Sequence, residues 1–468
     1  MDDARSESGA IDLDWISPAG LLAGATHELM LFAAVGLLIG GVDELLVDCI
    51  YLWRRIQARR RGQTRLSLGD LPPADMRFAI FVPAWDEADV IGPMLSTLGA
   101  RLGAPDLAVF VGTYPNDPAT IDAVAQVAQR DARVRLIVGD RAGPTTKADC
   151  LNGLWRAMQR EEVLLGVRFE AILLHDAEDV VHEGELIVLA HHLRTADAAQ
   201  LPVLPLPRPG AHMVGGTYLD EFAEAHGKTL AVRSTIGASL PLAGVGCAVS
   251  RTMLDRIARG RGGTPFDPAS LTEDYELGLT IAAMGGRTAL AEIAERPGAR
   301  PVGVHAYFPA ALDTAVRQKT RWMLGIALAG WDRTGWGHRA GIGELWMRMR
   351  DRRAPLAMLV LAAAYASLLL WLAGRMLGRP PAIEGWLAVI LAINGFFLLW
   401  RLVFRAAFVA RRYGATEAWL SIPRMMVGNI VAMIAARRAL FRYVAMLRGA
   451  PARWDKTAHQ FPRPATPP

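Results

Sequence analysis

The chain has 468 residues, 52% of them hydrophobic and 21% charged, and its 51 basic and 46 acidic residues leave a net charge of +5, too even a balance for a dedicated nucleic-acid binder. Three cysteines, Cys49, Cys150 and Cys247, lie far apart in the chain, which excludes a disulfide scaffold and fits no zinc cluster. With 45 Gly and 28 Pro but no repeat, the chain is neither collagen-like nor low-complexity, and a mean hydropathy of +0.22 beside ordinary charge content means that its apolar residues are unevenly distributed over two or three structural units.

Residues 1–28 form an acidic N-terminal segment carrying Asp2, Asp3, Glu7, Asp12, Asp14 and Glu28. Residues 29–53, LMLFAAVGLLIGGVDELLVDCIYLW, predict a first transmembrane helix, long enough to cross ~30 Å of hydrocarbon. The stretch is too late and too long for a cleavable signal peptide, and no small-residue cleavage pattern follows it. Asp43, Glu44 and Asp48 fall inside it, where charge is expensive. They are expected to pair with arginines of the helix bundle, or to line the mouth of a polar path. A basic linker, 54–76, then carries Arg54, Arg55, Arg59, Arg60, Arg61 and Arg65. Arginine on this side predicts an extracytoplasmic N-terminus and a cytoplasmic block beginning at Arg54.

From residue 77 the pattern alternates. Short apolar runs at 78–84, 107–114, 134–138 and 169–174 predict strands, and 87–102, 118–130 and 146–165 predict the helices between them. Strands alternating with helices predict a doubly wound parallel sheet, whose ligands bind at the carboxyl ends of the strands. Polar clusters fall at those ends: Pro83-Ala-Trp-Asp-Glu87, Gly112-Thr-Tyr-Pro-Asn-Asp117 and His175-Asp-Ala-Glu-Asp179. Asp176 and Glu178, two apart at a strand end, project to one side, and with Asp179 they suit Mg2+ or Mn2+ completed by phosphate oxygens. His175 and His182 read as ordinary hydrogen-bonding residues. Further on, Ser270 and Glu273 have the spacing of a capping box, which leaves Asp274 without a duty of that kind. Gln318, Arg321 and Trp322 then lie at i, i+3 and i+4 and share one helix face.

A connector, 331–353, leads to two further apolar spans at 354–374 and 386–404. Arg348, Arg350, Arg352 and Arg353 precede the second span, and Arg401, Arg405, Arg411 and Arg412 close the third, so both of these ends belong to the cytoplasm. The helix predicted at 417–447 has an apolar centre of 12 residues, 425–436, flanked by Arg424, Arg437, Arg438 and Arg442. That pattern suits a helix in the headgroup plane better than a fourth crossing, and it keeps the tail, 448–468, cytoplasmic.

Taken in order, the Pro83–Glu87 cluster, Lys147-Ala-Asp-Cys-Leu-Asn152, Asp176–Asp179, Gly244-Val-Gly-Cys-Ala248, Thr272-Glu-Asp274 and Gln318-Lys-Thr-Arg-Trp322 resemble the membrane-bound family-2 glycosyltransferases of the processive-synthase-like branch. The resemblance covers roughly residues 77–330. Within that family the chain is most similar to the bacteriophage adsorption protein B type of the bacterial inner membrane. This rests on His175–Asp179, on Glu221-Phe-Ala-Glu224 with His226 and Lys228, and on Arg317-Gln-Lys-Thr-Arg-Trp-Met-Leu-Gly325. Arg453-Trp-Asp-Lys-Thr-Ala-His459 and Phe461-Pro462 add to it.

The resemblance implies an α/β GT-A (Rossmann-like) cytoplasmic domain, 77–330, inserted between transmembrane helices, three crossings and an interfacial helix in all. It implies inverting transfer of a sugar from a nucleotide-diphosphate sugar, a UDP-sugar by preference, to an acceptor hydroxyl. Asp274 corresponds to the general base. Asp86, Glu87 and Asp117 correspond to base- and ribose-recognising positions, and Lys147 to a diphosphate contact. Gln318, Arg321 and Trp322 would close over diphosphate and acceptor. The family's metal motif is Asp-x-Asp. Here Glu178 stands in the third position, so the metal falls to Asp176 and Glu178, with Asp179 ranked after them. The implied product is an exported exopolysaccharide grown on a glycan acceptor. Single transfer to a polyprenyl-phosphate lipid and a non-catalytic, nucleotide-sensing export scaffold are the alternatives. Three crossings are few to wall a sugar-wide channel, so export is expected to need a homo-oligomer or an outer-envelope partner. Some relatives carry a regulatory domain beyond the Phe-Pro. With the sequence ending at Pro468, cyclic-dinucleotide control is expected from another chain or not at all.

Overall fold

The computed structural model describes residues 18–62, 66–103, 106–337, 341–378, 383–450 and 460–462. The acidic positions before Pro18, Arg65 and the 453–459 motif lie outside the described residues. The chain divides into two units, one of residues 47–355 and 402–468, the other of residues 1–46 and 356–401.

The larger unit opens as the alternating pattern predicts. Strand β1 (Phe78–Pro83), helix α2 (Ala88–Arg101), β2 (Leu107–Thr113), α3 (Pro118–Ala128), β3 (Val134–Val138), α4 (Lys147–Leu165) and β4 (Ala171–Leu174) follow helix α1 (Pro18–Arg60). Every residue of β1, β2 and β4 is buried, because helices cover both faces and a strand in such a sheet has no wet side. One face packs Val90, Ile91, Met94 and Leu98 of α2 together with Val188 and Leu189 of α5 (Glu185–Leu193). The other packs Leu151, Leu154, Trp155 and Met158 of α4.

The remaining elements are β5 (Ala198–Gln200), β6 (Val203–Pro205), α6 (Gly216–Glu224), α7 (Leu230–Thr235), β7 (Cys247–Ser250), α8 (Arg251–Gly260), α9 (Glu273–Ala283), β8 (Thr288–Leu290) and β9 (Val304–Ala306). A π-helical turn, Ala225–Thr229, joins α6 to α7. The seven-stranded sheet has the order β3-β2-β1-β4-β7-β5-β8, and β6 pairs with β9 in a separate ribbon. The four strands expected from the sequence pair parallel, and the later strands make the sheet mixed. β7 runs antiparallel to β4 and β5. The physical reason is where it starts: the Gly246 N–H donates to Leu174 O at 2.9 Å, so β7 begins at the carboxyl end of β4 and runs back along it.

Beyond the sheet come α10 (Leu312–Met323), a second π-helical turn (Leu324–Leu328), α11 (Ala329–Thr334), α12 (Ile342–Arg352), α13 (Ala354–Met376), α14 (Gly385–Tyr413) and α15 (Ala415–Leu447). Among the described residues three helices, from α1, α13 and α14, are long and apolar enough to cross a membrane. The first is longer than the predicted 29–53, since helix already begins at Pro18 and runs into the basic linker as far as Arg60. The connector is largely helical too, as α11 and α12. In the smaller unit, a Cβ on Gly36 would lie 2.6 Å from Val360 and one on Gly41 2.3 Å from Phe397. Small residues there let helix backbones approach closely. The Asn394 side chain donates to Ala34 O at 2.9 Å.

Helix α15 is continuous through Pro423 and is not among the three apolar candidates. Its Val431 and Ala435 pack with Tyr218, Ala315 and Val316, so it is built onto α6 and α10 of the larger unit. Asp48 has a lysine partner. It is 1% exposed and accepts from Lys228 Nζ at 2.7 Å; Lys228 also donates to Glu224 at 2.8 Å. Arg405 of α14 donates to the other oxygen of Glu224 at 3.2 Å. The ammonium, with a guanidinium beyond it, offsets the cost of burying these two carboxylates.

Candidate active site

The loops leaving β1, β2 and β4 meet at one edge of the sheet. After β1, Asp86 takes a left-handed backbone, φ 53°. Asp117 holds this turn, accepting from the Asp86 N–H at 2.6 Å and, with its other oxygen, capping α3 through the Thr120 N–H at 3.3 Å. The Glu87 N–H donates to Thr120 Oγ1 at 3.0 Å. Of the three acids expected around the nucleoside, Glu87 lines the cavity described below, Asp86 is exposed, and Asp117 shapes the turn that carries both. Asn116 clamps the backbone of Gly143, donating to its carbonyl at 2.9 Å and accepting from its N–H at 2.7 Å. That brings residues 143–145 against Trp85 and Tyr114, whose rings meet edge-on at 5.2 Å.

Helix α4 opens on Thr146, whose hydroxyl accepts from the Asp149 N–H and donates to Pro268 O at 2.9 Å. Lys147 is its first residue, so an ammonium and a helix N-terminus together favour an anion. Lys147 Nζ donates to Asp176 at 2.5 Å and lies 3.8 Å from Glu273. Burial alone would lower its pKa, but Asp176, Glu273 and Asp274 outweigh that and hold it well above the usual lysine value. After β4, Asp179 is turned inward: its Oδ2 binds the buried His175 ring at 2.8 Å and accepts from the Asp176 N–H at 3.0 Å. Glu185 sits at 3.2 Å from the other ring nitrogen. His175 thus has a structural hydrogen-bonding role, as expected, and Asp176 and Glu178 present the outward carboxylates.

At the start of α9, Asp274 and Glu273 face the same centre. Burial pushes the Asp274 carboxyl above the ordinary range, and Lys147 and Arg321 oppose it only in part. Burial likewise pushes Glu273 up to about 7. The expected Ser270–Glu273 capping box does not form. Ser270 Oγ donates instead to Glu276 at 2.7 Å, and Arg333 holds that same carboxylate at 3.0 Å. Glu273 is therefore a site residue that its capping-box spacing disguised. Over this pair sits Gly244 at φ 73°, where a Cβ would lie 2.6 Å from Asp274 Oδ2 and 3.2 Å from Lys147 Nζ. Buried Gln200 braces the turn, accepting from the Ala243 N–H at 2.7 Å and donating to Val245 O at 2.9 Å.

These groups line a cavity of about 550 Å3. Gln318, Arg321 and Trp322 of α10, which share one helix face, line it as well. Among the described residues, Gln318 Oε1 and Arg321 Nε are buried there without a hydrogen-bond partner, a state that calls for a polar ligand. Around Trp322 stand Phe222 and Phe308, with ring centroids 6.2 Å (Phe222–Trp322) and 4.8 Å (Phe222–Phe308) apart. Both line the cavity; Phe222 belongs to the Glu221–Glu224 motif, and Phe308 comes from a segment with no motif of its own. The cavity is thus lined by ionic and by aromatic groups.

No group of three or more metal-type side chains is gathered among the described residues. Asp176 and Glu178 nevertheless fit a hard divalent cation that keeps open positions, since Mg2+ typically takes one or two carboxylates and completes its shell with water and phosphate. Carboxyl groups outnumber cations along the cavity lining, which favours a positively charged guest.

Residues 73–325 match the family described as glycosyltransferase like family 2. The chain belongs to this glycosyltransferase family. It is 36% identical over 463 residues to Bacteriophage adsorption protein B of Escherichia coli (strain K12), and equally to Bacteriophage N4 adsorption protein B of Escherichia coli O157:H7. Each alignment takes in 92% of this chain and 61% of the relative, so the chain spans less than two thirds of their length. Among solved structures, a mannosyltransferase of Pyrobaculum calidifontis in complex with GDP-Man and Mn2+ superposes with a TM-score of 0.51 at 17% identity. It covers 88% of this chain and 99% of its own. The shared fold is GT-A, with the seven-stranded mixed sheet at its centre.

Proposed function

We propose that this chain is an inverting glycosyltransferase that moves a sugar from a nucleotide-diphosphate sugar to an acceptor hydroxyl at the cytoplasmic face of the bacterial inner membrane. The observation that carries the reading is the meeting of Asp274, Lys147 and Asp176 in a cavity that Gln318 and Arg321 also line, each with a buried polar atom that has no hydrogen-bond partner among the described residues.

Glu87, beside Trp85, contacts the nucleoside. Lys147 and Arg321 receive the diphosphate, and their fixed positive charge stabilises the charge that develops as the leaving group departs. Mg2+ or Mn2+, held by Asp176 and Glu178, would supply further neutralisation of that diphosphate. Asp179 keeps the Asp176 turn in place through its bond to His175. Asp274 accepts the proton of the attacking hydroxyl, and its raised affinity for a proton suits it to that task. One base and a single displacement invert the anomeric centre.

The likeness to the adsorption proteins and the arginine-rich flanks of the three apolar helices support an inner-membrane site and an exported polysaccharide product. Three crossings enclose little space, so export through a homo-oligomer or with an outer-envelope partner belongs to the same proposal. Purified full-length chain, incubated with Mn2+ and UDP- and GDP-sugars, tests the reading: one donor is consumed and mass spectrometry finds its sugar on an acceptor. Nucleotide binding without consumption of any donor would favour a nucleotide-sensing scaffold instead.

A further inference from the structure

The aromatic lining of the cavity has a chemistry of its own. Phe222, Phe308 and Trp322 are only half buried, although they line the same cavity as seven carboxyl groups. Tyr218 backs them, stacked on Phe308 at 4.9 Å. Apolar surface kept open inside a concave site marks the footprint of a ligand. Flat rings with electron-rich faces attract weakly positive C–H groups, and one face of a pyranose presents such groups. A pyranose also needs directional hydrogen bonds at its rim, and a polar rim is present. Glu221, Arg208 and Gln460 line the same cavity, with Arg208 donating to Gln460 at 2.5 Å and lying over the Tyr307 ring at 5.8 Å.

His226 is the most specific of these groups. It sits on the π-helical turn after α6, with its ring parallel to Phe222 (8°) at 5.4 Å. Its Nδ1 accepts from the Val203 N–H at 3.3 Å, which puts the ring proton on Nε2. Among the described residues nothing accepts from Nε2, although the ring is only 5% exposed and belongs to the cavity wall. Burial, with Arg412 of α14 facing it, pushes the imidazole down to about 3, so the ring remains a neutral donor across the physiological range.

Building on the glycosyltransferase reading, and with Trp322 over the acceptor as the family resemblance implies, we infer that His226 selects that acceptor: its Nε2–H donates to a hydroxyl of a pyranose lying against Phe222 and Phe308. His226 is then a specificity-determining residue for the acceptor.

The test uses the full chain in detergent with Mn2+ and either UDP or GDP. Nucleotide binding is followed by calorimetry, and methyl glucoside, galactoside, mannoside and N-acetylglucosaminide, with farnesyl phosphate as a lipid control, by saturation-transfer NMR. At least one pyranoside binds the wild type. His226→Asn keeps an acceptor for the Val203 N–H but lacks the cavity-facing donor, and it weakens that pyranoside at least tenfold. His226→Gln, whose amide can replace the donor, recovers most of the affinity, and nucleotide affinity stays within twofold in both variants. Unchanged pyranoside affinity in His226→Asn overturns the inference. So does binding of farnesyl phosphate, or of nucleotide alone, with no pyranoside bound; these results leave the glycosyltransferase reading standing. Absence of nucleotide binding overturns both.

Discussion

Gly244 offers a sharp perturbation, because it stands over the reacting centre without touching the chemistry itself. Replacing it by Ala has two effects. The left-handed backbone at φ 73° costs a side-chain-bearing residue about 1–2 kcal/mol. The new Cβ also falls 2.6 Å from Asp274 Oδ2, well inside the 3.4–4 Å of an ordinary contact, so the carboxylate or the turn must yield by most of an ångström. Misplacement on that scale costs roughly 100-fold in rate. Gly237 separates the two effects, for it has φ 69° but nothing within 4 Å of its Cβ position. Gly244→Ala and Gly237→Ala should therefore lose similar stability in a thermal melt, while only Gly244→Ala loses about 100-fold in kcat at little-changed nucleotide affinity. A Gly244→Ala enzyme with wild-type kcat, or an equal kcat loss in Gly237→Ala, would refute the reasoning.

Three further outcomes follow. Lys228→Met deprives buried Asp48 and Glu224 of the ammonium they share, and loss of one partner from such a group costs about 3–5 kcal/mol, to be read as a lowered melting midpoint in detergent; an unchanged midpoint would count against the network. Asp117→Ala removes the cap of α3 and the acceptor of the Asp86 N–H, costing about 1–2 kcal/mol and weakening nucleotide binding through the slackened Glu87 turn. His226, held by burial and by Arg412 at about 3 against an ordinary 6.5, takes up a proton more readily when unfolded. Its contribution to stability is therefore full above pH 6.5 and is lost as pH falls toward 3, and His226→Gln should flatten the stability profile across that window. A profile identical to wild type would contradict the sign.

Much of this architecture was readable from residue pattern alone. β1, β2 and β4 are largely apolar runs and β3 is apolar but for Arg135, and the structure places them within a residue or two of expectation. The strands that were missed, β5 to β9, are three or four residues each, too short for any period to show. The direction of β7 depends on the Gly246 contact with Leu174, which no local pattern reveals. The site divides in the same way. Gln318, Arg321 and Trp322 share a helix face and were found by spacing. Glu273 was hidden because an acid three residues after a serine reads as a cap. Phe222, His226 and Phe308 meet only after α6, its π-helical turn and the chain beyond β9 have packed together.

The account rests most heavily on Asp274 as the proton acceptor. With the donor that the wild type consumes, release of nucleoside diphosphate should fall in Asp274→Asn by roughly 100- to 10,000-fold, the usual worth of a general base, with nucleotide affinity within a fewfold of wild type. Release at a near wild-type rate from Asp274→Asn would contradict it.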